Sequence, residues 1–153
     1  MLKSFQRWLQ RRFAMLDYEQ AEAAIRTDNQ QLLDAFQVSL KAAELTDKTI
    51  KTHLTNLDFL GDYLANYEPL RRLDEADEAD VCSFLLEWYP RKAMWASPSQ
   101  TQSLVASFRK FYRFLGETRR MNEKRVSKIL ASLKRGRDAF LAAVEVDDFE
   151  DEW

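Results

Sequence analysis

Between Leu104 and Arg137 the chain carries eleven basic side chains against two acids. Arg109, Lys110, Arg113, Arg119, Arg120, Lys124, Arg125 and Lys128 lead this run, and Lys134, Arg135 and Arg137 close it; Glu117 and Glu123 are the acids. Cations at this density can neutralise phosphates and fix a protein's register on a duplex, with little base readout. Lys48 and Lys51 join them if the two helix starts in that part of the chain lie close. From Glu145 to Trp153 there are six acids and no base. Segregation of this kind suits a charged partner or an internal ion-paired contact. The whole chain, with 23 basic and 25 acidic side chains, carries a net −2, which taken alone argues against a strong nucleic-acid binder.

Other chemistry is sparse. His53 is the only histidine, and no motif gives it a serine or cysteine partner, so it reads as a helix-surface or partly buried residue. One histidine is too few for a typical zinc site. Asp74, Glu75, Asp77, Glu78 and Asp80 lack the glycine and terminal glutamate of a calcium loop, and read as caps and charge complement for a helix start. Cys82 has no evident base or cation to lower its pKa and reads as a semi-buried filler. The loop Pro90–Ser97 mixes Arg91 and Lys92 with Met94 and Trp95. Such a loop can grip phosphates and stack on a base, but large aromatics usually bury most of their surface, so the expected arrangement is a plug in the bundle. There is no P-loop, dinucleotide fingerprint, paired-cysteine pattern or nucleophile elbow. No enzyme activity, metal or cofactor is expected.

The elements that carry these residues read as helices. Gly and Pro number three each in 153 residues, and Leu, Ala, Glu, Lys, Arg and Gln dominate. One cysteine and no membrane-length apolar run suggest a soluble, cytoplasmic protein. Residues 2–26 form an amphipathic helix with Phe5, Trp8, Leu9, Phe13 and Leu16 on one side; a basic helix of this kind can lie on an anionic membrane surface or in a partner groove, and the expected arrangement is packing on the bundle with its basic face in water. Thr27, Asp28 and Asn29 read as a break before a second helix with Leu33, Phe36 and Leu40 inward. In the stretch Leu45 to Leu64, Thr46 is the N-cap, and Ile50, Leu54, Leu57, Gly61 and Leu64 share a face. Pro69 breaks that helix; the next buries Val81, Phe84, Leu85 and Trp88 and is expected to end at Pro90. Ser97 caps another, with Gln100 closing a capping box and Leu104, Phe108, Phe111 and Leu115 inward. Asn122 caps a last helix that Gly136 interrupts before Phe140. The whole reads as an all-α, compact orthogonal bundle of five to six helices over residues 1–144, with an acidic tail at 145–153.

The two capped helices also carry a resemblance. Thr46, Thr49, Ile50, Leu54, Leu57, Phe59 and Leu60, with Ser107, Phe108, Phe111, Tyr112, Phe114 and Leu115, resemble the N-terminal core-binding (SAM-like) domain of tyrosine recombinases and phage integrases. The likeness spans about residues 30–120 and leaves residues 1–28 as an additional N-terminal helix. It implies half of a clamp around duplex DNA. It transfers no catalytic residue, because that family's arginine–histidine–arginine set and tyrosine nucleophile belong to a second domain for which this chain has no room. The expected function is a non-catalytic DNA-binding module using Lys48, Lys51 and Arg109 to Lys128. The alternative is a helical protein-interaction or self-association domain, with Trp8, Trp95 and Trp153 as anchors.

Overall fold

The computed structural model describes residues 1–145, so the acidic tail from Val146 and the anchor Trp153 lie outside the described residues. Seven α-helices follow in order: α1 (Leu2–Ala42), α2 (Asp47–Asn66), α3 (Glu78–Ser83), α4 (Tyr89–Lys92), α5 (Pro98–Glu117), α6 (Glu123–Arg135) and α7 (Arg137–Ala142). A 3-10 turn, Leu73–Glu75, precedes α3, and a π turn, Phe84–Trp88, joins α3 to α4, so residues 78–92 run on as one rod. Among the described residues there is no strand. The fold is all-α, a compact helical bundle.

α5 is its axis. It packs against α2, α6 and α7 and buries Leu104, Phe108, Phe111, Tyr112 and Leu115. Phe111 meets Phe36 of α1 edge-on at 5.2 Å, and Phe108 meets Phe84 of the π turn at 5.6 Å. The Tyr112 hydroxyl is fully buried and donates to the Leu73 carbonyl at 2.9 Å. Local signals form the ends as expected: Thr46, Ser97 and Asn122 each accept a backbone N–H from the first turn of their helices. Asp77 and Asp80 cap α3 reciprocally, and Arg71 reaches Asp80 at 2.7 Å.

Several expectations fail. α1 does not break at Thr27–Asn29. Thr27 bonds back to the Ala23 carbonyl, and Asn29 is buried in mid-helix, where its Oδ1 accepts the Leu73 N–H at 2.9 Å. The polar trio serves distant backbone and its own helix rather than a new helix start. The N-terminal part of α1 does not pack on the bundle either: the buried residues of α1 begin only at Asn29. Pro90 does not end its helix. The π turn carries an i→i−5 bond from Tyr89 N–H to Phe84 C=O just before the proline, whose missing donor and bulky ring the wider turn accommodates. Met94 and Trp95 do not plug the core: Met94 is 99% exposed, and Trp95, 61% exposed, only lies against the edge of the aromatic cluster, 6.1 Å from Phe59, because Phe84, Trp88 and Tyr89 already close around that ring and Ala93 fills the inward position. Gln100 closes no capping box: its amide reaches Asn56 on α2 at 3.4 Å, and the Ser97 N–H goes to the Tyr89 hydroxyl.

Candidate nucleic-acid interface

α5 is covered on every side but one. Its exposed strip runs through Gln102, Ala106, Arg109, Lys110, Arg113 and Glu117, at the three- and four-residue spacing of one helix face. A burial pattern this complete leaves only one place for charge, and the sequence puts three cations there.

Two grooves flank the strip. On one side, Phe36 and Ser39 of α1, with Ala43 just past its end, face Arg109, Lys110 and Arg113 across about 400 Å³. On the other, α6 and α7 bring Leu133, Lys134, Arg137 and Phe140 up to Arg109 around about 490 Å³. Arg109 lines both. Among the described residues, no carboxylate lies within ion-pair distance of any of these five cations; the ion pairs that form use Arg26, Arg71 and Arg72. Arg109 and Arg113 are like charges at i and i+4, a spacing that costs an isolated helix roughly 0.2–0.5 kcal/mol and that an anion relieves.

The remaining candidate residues divide. Arg120 stacks its guanidinium 5.3 Å from the Phe114 ring, and Phe114 lines the α1 groove, so Arg120 extends the row past the end of α5. Arg119 stands exposed in the left-handed conformation (φ 57°) where the chain leaves the helix. Lys124 and Lys128 are exposed on α6 and line neither groove. Arg125 is already engaged: its Nη2 donates to the Glu75 and Ala76 carbonyls at 2.7 and 3.2 Å, tying α6 to the 3-10 turn. Lys48 and Lys51 are exposed on the first turns of α2, outside both grooves. Lys134 and Arg137 belong to the basic run in sequence but join Arg109 only because α7 folds back on α5.

Beneath Lys110 lies a polar seam between α2 and α5. The Asn56 amide donates to Ser103 Oγ at 3.1 Å and to Ser107 Oγ at 2.9 Å, and Ser107 Oγ lies 2.7 Å from His53 Nδ1. The Ser107 hydroxyl accepts from Asn56 and keeps a second lone pair and its own O–H, so the short contact to Nδ1 is compatible with either neutral tautomer of His53. Burial first, and then Lys110, push the His53 pKa below its ordinary value. Sequence reasoning gave His53 no serine partner. The one it has is fully buried and meets no substrate-sized opening, so the seam reads as helix packing. Cys82 is half-buried, and burial with the nearby Glu78 pushes its thiol up, away from nucleophilic use. No group of three or more possible metal ligands gathers among the described residues, and no helix there is long and apolar enough to cross a membrane.

The family model described as DUF7108, C-terminal domain, matches residues 23–120. The chain belongs to that family. The matched stretch takes in the bundle-packed part of α1 and all of α5, so the cationic strip lies within the DUF7108 C-terminal domain, while Lys134 and Arg137 lie beyond it. No curated protein and no solved structure matches the chain.

Proposed function

We propose that this DUF7108 C-terminal domain is a non-catalytic DNA-binding module that holds duplex phosphates on the α5 strip, in the manner of the recombinase core-binding domains its two capped helices resemble. The observation that carries the reading is the row Arg109, Lys110 and Arg113, which has no carboxylate partner among the described residues and is widened by Lys134 and Arg137 on one side and Arg120 at its end. These cations sit on a rigid helix between two grooves, which suits phosphate contacts that set register rather than base readout. Lys48, Lys51, Arg119, Lys124 and Lys128 contribute longer-range attraction, screened beyond about 8 Å at physiological salt.

The test is binding of the full chain to a mixed-sequence duplex across a salt series. Micromolar affinity with a steep salt slope is expected, and a chain ending at Val144 binds more tightly because the acidic tail no longer competes. The double variant R109E/R113E loses most of the binding and flattens the slope by about two phosphate contacts. Absence of binding by both the full chain and the shortened one at low salt overturns the reading.

A further inference from the structure

α1 is a single helix of 41 residues, about 60 Å long at 1.5 Å per residue. Only its last third is held by the bundle. Arg26, paired with Asp62 of α2 at 2.7 Å and with Glu22 at 3.0 Å, braces the root of the rest. The first 25 or so residues form an arm that projects bare apolar surface: Leu2 is 79% exposed, Phe5 58%, Phe13 62% and Leu16 45%.

The direction of that surface decides what it is for. At about 100° per residue, Leu2, Phe5, Leu9, Phe13 and Leu16 fall on one stripe, rotated by about 150° from the stripe of Asn29, Leu33, Phe36 and Leu40 that enters the core. The arm's apolar face is therefore not a frayed continuation of the core face. It points away from the bundle and needs a partner of its own.

The charges say which partner. The first half of the arm carries Lys3, Arg7, Arg11 and Arg12 and no acid; the second carries Asp17, Glu19 and Glu22, with Arg26 turned to Asp62. Laid side by side in parallel, two arms put like charges together. Laid antiparallel, the basic half of each arm lies alongside the acidic half of the other, with Arg12 and Glu19 bordering the stripe and Arg7 and Arg11 on the far face. The apolar faces are complementary in the same sense. With the dyad near Met15, Phe13 and Leu16 meet at the centre, and the large Leu2 and Phe5 of each copy lie over Ala23 and Thr27 of the other. Arg12 and Glu19 flank the stripe on the same side, so each faces the other's counterpart across the dyad. The first 22 residues, which supply most of this surface, lie outside the family match.

We propose that residues 2–27 of α1 form an antiparallel, two-fold helix pair with a second copy of this chain. The contact is isologous and closes on itself, and it leaves the α5 strip of both copies free.

Sedimentation equilibrium of the full chain tests this with a charge-exchange cycle. The wild-type chain is expected to be a dimer. Arg12→Glu and Glu19→Arg each weaken it by about tenfold or more, because each sets like charges across the dyad twice. The double variant R12E/E19R restores it. Spin labels at Gln6→Cys, in a Cys82→Ser background, stand about 25 Å apart in the antiparallel pair at 1.5 Å per residue, whereas a parallel pair holds them at about 10 Å. A monomer at high micromolar concentration, a dimer indifferent to both single exchanges, or a short spin-label distance overturns the proposal. Vesicles of anionic lipid give a further arm. Binding that R12E weakens and E19R strengthens, with the chain monomeric in solution, assigns the stripe to a lipid surface instead and overturns the helix pair.

Discussion

The two ends of α1 obey opposite rules. From Asn29 onward Leu33, Phe36 and Leu40 are buried in the bundle, and even the one buried polar side chain, Asn29, has a named partner in Leu73 N–H. Before that point the same helix exposes Leu2, Phe5, Trp8, Phe13, Met15 and Leu16. Phe5 and Trp8 stack only on one another at 6.0 Å, and Arg12 covers Trp8 from the same helix at 5.4 Å. Similar amphipathic composition thus gives a core element in one half and a free surface in the other. What separates them is reach: the first half runs past the end of the bundle, so even Trp8 and Met15, which at 100° per residue lie within about 50° of the core stripe, stay exposed.

The largest expected effect breaks the comparison outright. Phe108→Ala, in the bundle, costs about 3–5 kcal/mol by urea unfolding, because it empties a fully buried site between α5 and the π turn. Phe13→Ala, measured where the chain is monomeric, changes unfolding of the bundle by less than about 0.5 kcal/mol. An equal cost at both positions would mean the arm is part of the folded core. The next effect lies at the junction. Asn29→Ala leaves the buried Leu73 N–H without its acceptor and costs about 1–3 kcal/mol, with protection of the Leu73 amide against hydrogen exchange falling in step. The smallest belongs to the seam under the cationic strip. The His53 pKa is lowered in the fold, so the unfolded chain takes up the proton first as pH falls below 6.5. Stability is complete above that pH, declines on acidification and levels off once folded His53 also protonates. His53→Gln removes that component, which denaturant midpoints between about pH 5 and 7.5 report.

What the sequence makes legible follows from how local each signal is. The caps at Thr46, Ser97 and Asn122 and the apolar stripes of α2 and α5 are written within a turn or two, and they form as read. The exposed row Arg109, Lys110 and Arg113 is legible for the same reason. Asn29 misleads because its role is set by a residue 44 positions away, and a buried asparagine in a helix is indistinguishable, in sequence, from a cap. Pro90 misleads because the π turn before it is a backbone solution that no single residue announces. Lys134 and Arg137 reach Arg109 through the turn at Gly136, where an added Cβ would run into the Phe140 ring. That close approach, rather than charge spacing, builds the second groove. Met94 and Trp95 illustrate the limit of size as a guide: the space a plug would fill is already occupied.

The unbroken course of α1 also makes it a phase keeper. Phe36 and Ser39, which wall the cationic groove, and Phe13 and Leu16 on the arm belong to one helical screw. One residue inserted near Thr27 leaves every local contact type available yet turns the arm's stripe by about 100° relative to the groove, whereas seven residues return it to within about 20° and lengthen the arm by roughly two turns. Any activity that needs arm and groove together is therefore periodic in the length of this helix: lost by the smaller insertion and regained by the larger.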